Sequence, residues 1–402
     1  MKIVFLHTDF RVYWLPRLAC LNRFLAERSH ELYVMEIAGK GSPYAFSKNH
    51  GEEITTTDNS IHWECLFPDA EMADLNNIKI RKIIFQRLDD LKPDIVFAGA
   101  IAYPSGANAV AWGVKRGVPI VIFDNARLAD VPRSWLVNFV KRRIYANVSA
   151  MLIPAPSHLS DYKYWGIPED TINYGLNVID NDYWRRLSTS ELAFPELKNT
   201  PYILGVGRQI PKKNWLSVIK AYQQSGISPK LVLVGNGPER PQIEALCREL
   251  SLEEKVVLLD FQPPEKLAPL YAHSLLLLLL SSYGETWGLT VNEAMACGTP
   301  VMVSKECGCC KTLCIEGKTG WRTGTDVKSI VNAMRHFAET TPEQRKSMKS
   351  NVTALIDQWG CERFCESVLD IVEKYGGKVV HKRISLLDRV ILTLWKGRYR
   401  PV

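Results

Sequence analysis

Two carboxylates, Glu285 and Glu293, sit in the stretch 281–300, SSYGETWGLTVNEAMACGTP, with seven residues between them. The first lies in a glycine-bearing turn after the apolar run 275–280, the second inside a helical pattern. A strand, a loop and a helix start in this order present free backbone N–H groups, which attract phosphate. A carboxylate repels phosphate and suits sugar hydroxyls, so the combination suggests a ligand carrying both, such as a nucleotide sugar. The same residues have a purely structural reading. Thr290 with Glu293, and Ser282 with Glu285, both fit the capping-box spacing. Spacing alone leaves the two readings open.

Cationic groups arrive earlier in the chain. An apolar run at 202–206 leads into Gly205-Val-Gly207-Arg208, followed by Lys212-Lys213-Asn214. Glycines at a strand end let backbone approach a ligand, and an Arg with a Lys five positions later can hold two phosphates. Gly235-Asn236-Gly237-Pro238 follows the next apolar run and reads as a tight turn needing positive φ.

Elements to position these groups follow from the apolar pattern. Strand-like runs at 1–7, 31–36, 94–97, 120–124 and 150–153 alternate with helical stretches, and the alternation restarts with strands at 202–206, 231–234, 256–259, 275–280 and 301–304. This predicts an α/β protein of two parallel sheets wrapped by helices, facing each other across a cleft, with ligands beyond the carboxyl strand ends. The Gly-, Asn- and Asp-rich stretch 172–184 reads as the linker. Expected domains are 1–184, 185–360 and a C-terminal helical segment, 361–402. In its tail, HKRISLLDRVILTLWKGRYRPV, Ile384, Leu387, Ile391, Leu394 and Trp395 fall on one face among Lys and Arg. That tail suits either an anionic membrane surface or packing on the body of the protein.

Composition narrows the function class. The 402 residues, 46% hydrophobic and 23% charged, suit a folded chain of two or three domains. No apolar run approaches the roughly 20 residues of a membrane span, and the N-terminal run is too short for a signal peptide, so a cytoplasmic protein is expected, with any membrane contact peripheral. The net charge of +7 comes without a zinc finger, an RNP-type motif or a long basic stripe, so nucleic acid is not expected as a partner. Ten cysteines in such a chain read as reduced thiols. Cys307, Cys309, Cys310 and Cys314 cluster without the paired spacing of a zinc site, and no metal is expected.

Taken together, Gly207-Arg208, Lys213, the 235–238 turn, and Glu285 with Glu293 resemble the retaining glycosyltransferases of family four in order and spacing. The resemblance is specific over 202–320 and looser before it, with 167–178 similar to the family's lead into the linker. It implies the GT-B fold, two Rossmann-like domains with the donor in the second and the acceptor mainly in the first, and a C-terminal helix, here 361–375, crossing back to the first. Carried over, Arg208 and Lys213 would hold the donor diphosphate and stabilise it as leaving group in place of a metal, so no cofactor is implied. Glu293 would bind the ribose hydroxyls and Glu285 those of the donor sugar, beside Gly207. The backbone of Trp287, Gly288 and Leu289 would receive phosphate oxygens. Asp180-Asn181-Asp182, similar to the metal-binding triplet of some glycosyltransferases, lies in the linker and reads as turn chemistry.

Two departures bear on the first domain. Where many members carry a histidine near the donor sugar, this chain has IVIFDN, placing Asp124 or Asn125 there. Where a Gly-rich loop is common near the N-terminus, it has HTDFRVYWLPRL, in which His7, Arg11 and Tyr13 could line an acceptor pocket or merely begin a helix. The implied activity is retaining, metal-independent transfer of a sugar from a nucleotide-diphosphate sugar to a saccharide or lipid-linked acceptor in cell-envelope glycan synthesis. The alternatives are a sugar-nucleotide epimerase on the same fold and a non-catalytic nucleotide-sugar-binding module.

Overall fold

The computed structural model describes residues 1–10, 13–40, 61–380 and 384–397. They divide into two α/β units: Met1–Asn125, Pro132–Leu176 and Cys361–Val402 form the first, Ala126–Val131 and Asn177–Gly360 the second.

In the first unit, β1 (Lys2–His7), α1 (Trp14–Ala26), β2 (Glu31–Lys40), β3 (His62–Glu71), α2 (Asn77–Leu91), β4 (Ile95–Ala98) and α3 (Pro104–Arg116) are followed by β5 (Ile120–Phe123), α4 (Trp135–Tyr145), β6 (Ala150–Ile153), α5 (Leu159–Tyr164) and β7 (Ile172–Tyr174). The seven strands run parallel in the order β3-β2-β1-β4-β5-β6-β7. Central strands such as Ile95–Ala98 and Ile120–Phe123 are buried throughout, as a sheet covered on both faces requires. Phe5 stacks on Phe97 with ring centroids 4.7 Å apart. α3 starts with Pro104 in its first turn and stops at Gly117, whose φ of +73° ends the helix.

The second unit holds α6 (Asn181–Ser188), β8 (Tyr202–Val206), α7 (Trp215–Ser225), β9 (Lys230–Val234), α8 (Arg240–Glu249), β10 (Val256–Leu259) and α9 (Pro264–His273). After them come β11 (Leu277–Leu279), α10 (Leu289–Ala296), β12 (Val301–Ser304), α11 (Cys310–Leu313), β13 (Gly320–Thr323), α12 (Val327–Ala338) and α13 (Pro342–Ile356). Its six parallel strands follow the order β10-β9-β8-β11-β12-β13. Trp215 anchors the core beside Leu278 and Met302. Gly205 serves this packing: a β-carbon there would fall 2.7 Å from the Trp215 ring. The glycine therefore admits an indole.

The chain then returns to the first unit as α14 (Cys361–Tyr375) and α15 (Leu386–Leu394). α14 buries Cys361, Phe364, Cys365, Val368, Ile371 and Val372, a stripe at helical spacing, and packs on α1. Phe364 meets the Phe5 and Trp14 rings edge-on, each at 6.1 Å.

The stretch read as linker, 172–184, contains the boundary between the units after Leu176 and is ordered: Ile172–Tyr174 is an edge strand, and Asp180 caps α6 by accepting from the Tyr183 amide at 2.8 Å. β3, with Pro68 and mixed polarity, is an edge strand that the pattern misses, because an edge tolerates both. The expected apolar face of the tail is divided. Trp395 donates to the Ile101 carbonyl at 2.7 Å and Leu392 is buried, whereas Leu387 and Leu394 are exposed. Arg81 holds this helix end by donating to the Leu392, Thr393 and Trp395 carbonyls.

Candidate active site

The loops that follow β8 and β11 are neighbours because the strands are paired. Beyond Gly207 and Arg208 the chain makes a single 3-10 turn, Pro211–Lys213, closed by Asn214 at φ +63°. Asn214 Nδ2 donates to the Thr325 carbonyl at 2.8 Å and the Leu280 carbonyl at 3.4 Å, and the Ser282 amide donates to the Lys212 carbonyl at 2.9 Å. These bonds stitch the two loops and bring Lys213 against Glu285.

Lys213 Nζ lies 2.6 Å from Glu285 Oε2, which also accepts from Ser281 Oγ at 2.9 Å. Lys212 Nζ stands 3.9 Å from the same oxygen. Burial alone would raise the Glu285 carboxyl, but the Lys213 and Lys212 charges and the hydrogen bonds from Lys213 and Ser281 hold it below the ordinary glutamate value. Burial lowers Lys212, opposed by Glu285 and assisted by Lys213 and Arg208. The Arg208 side chain is exposed and makes no hydrogen bond or ion pair among the described residues. The cluster thus carries three cations and one carboxylate, a surplus of positive charge that suits a polyanion.

Arg127, which no motif singles out, fixes the backbone of this cluster. Its guanidinium donates to the Glu285 carbonyl at 3.0 Å and to the Glu306 carbonyl, and pairs with Asp130. The Gly308 amide donates to the same Glu285 carbonyl at 2.9 Å.

Behind the loop, α10 begins at Gly288, whose φ of +112° and lack of a β-carbon are both needed, since one would fall 2.3 Å from Leu279 Cδ2. The Leu289 and Thr290 amides of its first turn donate to no acceptor among the described residues. The capping boxes do not form. Gly288 occupies the cap position with no side-chain cap, Thr290 lies inside the helix, and its buried Oγ1 has no partner among the described residues. Glu285 precedes the helix and is turned to Lys213. Trp287 is buried, its Nε1 donating to Asn292 Oδ1 at 2.9 Å, and Asn292 donates to the Asn177 carbonyl. Glu293 is also buried, and its Oε2 accepts from the Tyr271 hydroxyl at 2.8 Å. Tyr271 and Asn292 escaped sequence reasoning because nothing in a linear pattern marks a hydrogen-bond partner.

The first unit contains the remaining candidates. His7 touches the Phe10, Trp14, Tyr103 and Phe123 rings, with Phe123 at 5.2 Å. Burial holds its imidazole down at about 4, hence neutral at physiological pH, and its Nδ1 has no hydrogen-bond partner among the described residues. Tyr13 occupies the position before α1. Arg11 lies outside the described residues. The Asp124 carboxylate is buried, accepting from the Tyr145 hydroxyl at 2.8 Å with Lys141 Nζ at 3.7 Å, while Asn125 is half-buried beside it. The four clustered cysteines form no metal-binding group among the described residues; Cys307, Cys310 and Cys314 point at the carbonyls of Leu279, Val303 and Val301.

The chain is similar to known proteins in sequence and in fold. The family described as glycosyl transferases group 1 matches residues 190–354. The chain is 38% identical over 290 residues to the N-acetyl-alpha-D-glucosaminyl L-malate synthase of Bacillus anthracis, covering 70% of this chain and 72% of that one. It is 28% identical over 190 residues to the N-acetylgalactosamine-N,N'-diacetylbacillosaminyl-diphospho-undecaprenol 4-alpha-N-acetylgalactosaminyltransferase of Campylobacter jejuni, covering 46% and 47%. Several other curated relatives are matched over about half of their length. The structure of Anabaena HepE in complex with UDP and glucose superimposes with a TM-score of 0.69 at 18% identity, covering 93% of this chain and all of that one. The fold is thus of the GT-B class. The chain belongs to the glycosyl transferases group 1 family.

Proposed function

We propose that this protein is a retaining, metal-independent glycosyltransferase. It moves a sugar from a nucleotide-diphosphate sugar to a saccharide or lipid-linked acceptor in cell-envelope glycan synthesis. The observation that carries the reading is the Lys213–Glu285 contact of 2.6 Å, with Arg208 uncommitted nearby in sequence and the first amides of α10 open. Departure of a nucleoside diphosphate builds negative charge on phosphate oxygens. Preorganised cations and helix-end N–H groups lower the barrier by stabilising that charge where it develops.

In this reading Arg208 and Lys213 hold the diphosphate, and the α10 amides at Gly288 and Leu289 receive its oxygens. Glu293, steadied by Tyr271, takes the ribose hydroxyls. Glu285 holds the donor sugar near the reacting carbon. The acceptor oxygen attacks from the face the leaving group departs, and the leaving phosphate accepts its proton, so no protein nucleophile is required. His7, Arg11 and Tyr13 are the acceptor-side candidates, and Asp124 or Asn125 would stand near the donor sugar. Support for sugar transfer comes from both relatives, and support for a lipid-linked acceptor from the one named for a saccharide on diphospho-undecaprenol; the other is named for a glucosaminyl group on L-malate.

Lys213→Ala and Glu293→Ala variants, checked for folding by circular dichroism, test the reading. Both are expected to lose transfer; full activity in either contradicts it. NMR of the donor without acceptor separates transfer from epimerisation.

A further inference from the structure

Two neighbouring helices of the first unit bury Ile144, Tyr145 and Leu392 but leave much of their apolar surface exposed. α4 turns Asn138 inward, where its Oδ1 accepts from Trp165 Nε1 at 3.0 Å, and leaves Trp135 78%, Leu136 54% and Phe139 40% exposed. α15 buries Asp388 and exposes Leu386 at 79%, Val390 at 46% and Leu394 at 70%. The two helices pack together, and Arg143 locks them by donating to Asp388 at 2.7 and 2.8 Å and to Ser385 at 2.9 Å. A helix on a water-exposed surface normally buries its apolar stripe. Here polar groups are spent inside and an indole, a phenyl ring and leucines face out, so the face is built for an apolar partner.

Charge and size identify that partner. α4 carries no acid, and the one acid of α15 is neutralised by Arg143, which leaves Arg142 and Arg389 as the exposed charges of the pair. At 11 and 9 residues both helices are far too short to span a bilayer, and among the described residues no helix is long and apolar enough to cross one. An exposed Trp with aliphatic side chains, bordered by arginines, has the composition of an interfacial anchor. We infer that the α4–α15 face docks the protein on an anionic lipid surface, Trp135, Phe139 and Leu386 entering the headgroup boundary and Arg142 and Arg389 meeting lipid phosphates. The inference deepens the reading of a lipid-linked acceptor, but its evidence is independent of the donor chemistry.

The test is flotation of the full chain with phosphatidylcholine vesicles with and without phosphatidylglycerol. Binding to the anionic vesicles, weakening with salt, is expected. Trp135→Ser with Leu386→Ser should lower vesicle affinity at least tenfold, from roughly 1.5–3 kcal/mol per apolar side chain withdrawn. Arg142→Glu or Arg389→Glu should each lower it roughly fivefold or more. All these side chains are outside the proposed donor site, so turnover on a soluble acceptor should persist. Absence of binding to anionic vesicles, equal binding by the serine variants, or a concentration-dependent dimer abolished by the same substitutions would overturn the proposal.

Discussion

Lys213 and Glu285, 72 positions apart in the chain, meet at 2.6 Å where the loops after β8 and β11 are stitched together. Each side chain is only 13% exposed, so neither charge is well solvated without the other. Removing one partner strands the other in a low-dielectric site.

Lys213→Ala is expected to lower kcat/KM by about 10²–10³-fold, the scale of losing one preorganised charge-stabilising group. It should also destabilise the fold by about 1–3 kcal/mol, because Glu285 loses its nearest counter-charge and keeps only Lys212 at 3.9 Å and the Ser281 hydroxyl at 2.9 Å. Steady-state kinetics and denaturant unfolding read the two effects separately.

The pair gives stability a pH dependence of defined sign. The folded-state carboxyl of Glu285 lies below its unfolded value, so its contribution is complete above that unfolded value and is lost as pH falls through the folded one. The Tm advantage of the wild type over Glu285→Gln should therefore be greatest near neutral pH and disappear in the acid range. An advantage independent of pH would contradict the pairing.

Arg127→Ala should leave the chain folded but raise KM for the donor, since the Glu285 and Glu306 carbonyls lose a shared anchor. Lysine should not rescue it, because an ammonium lacks the planar fork that serves two carbonyls and Asp130 together. Kinetics of both variants with varied donor check this.

Tyr271→Phe deletes the hydroxyl that donates to the buried Glu293 carboxylate at 2.8 Å. A stability loss of about 1–3 kcal/mol is expected, with weaker nucleotide binding; calorimetric unfolding and titration measure them.

Much of the architecture could be read from the residues. Fully buried parallel strands such as Tyr202–Val206 and Val301–Ser304 are continuous apolar runs, and the α14 stripe from Cys361 has helical spacing. Edge strands such as β3 and Gly320–Thr323, each at one edge of its sheet, hid because they mix polar and apolar residues, whereas the apolar edge strand Val256–Leu259 was legible. At the site, Lys213 and Glu285 could be selected from the order of motifs. The capping reading of Thr290 failed because Gly288, at a backbone conformation open to glycine, had already begun the helix. Arg127 was invisible, since its partners are two carbonyls far along the chain and carbonyls leave no trace in a sequence.

The central claim is that the Lys213–Glu285–Glu293 site holds a nucleotide diphosphate, and thermal stabilisation by UDP-, GDP- and ADP-sugars tests it most directly. One nucleotide class should raise the Tm of the wild type in proportion to the logarithm of its concentration above Kd, and the shift should vanish in Lys213→Ala. No stabilisation by any of them, or an equal shift in the variant, would contradict it.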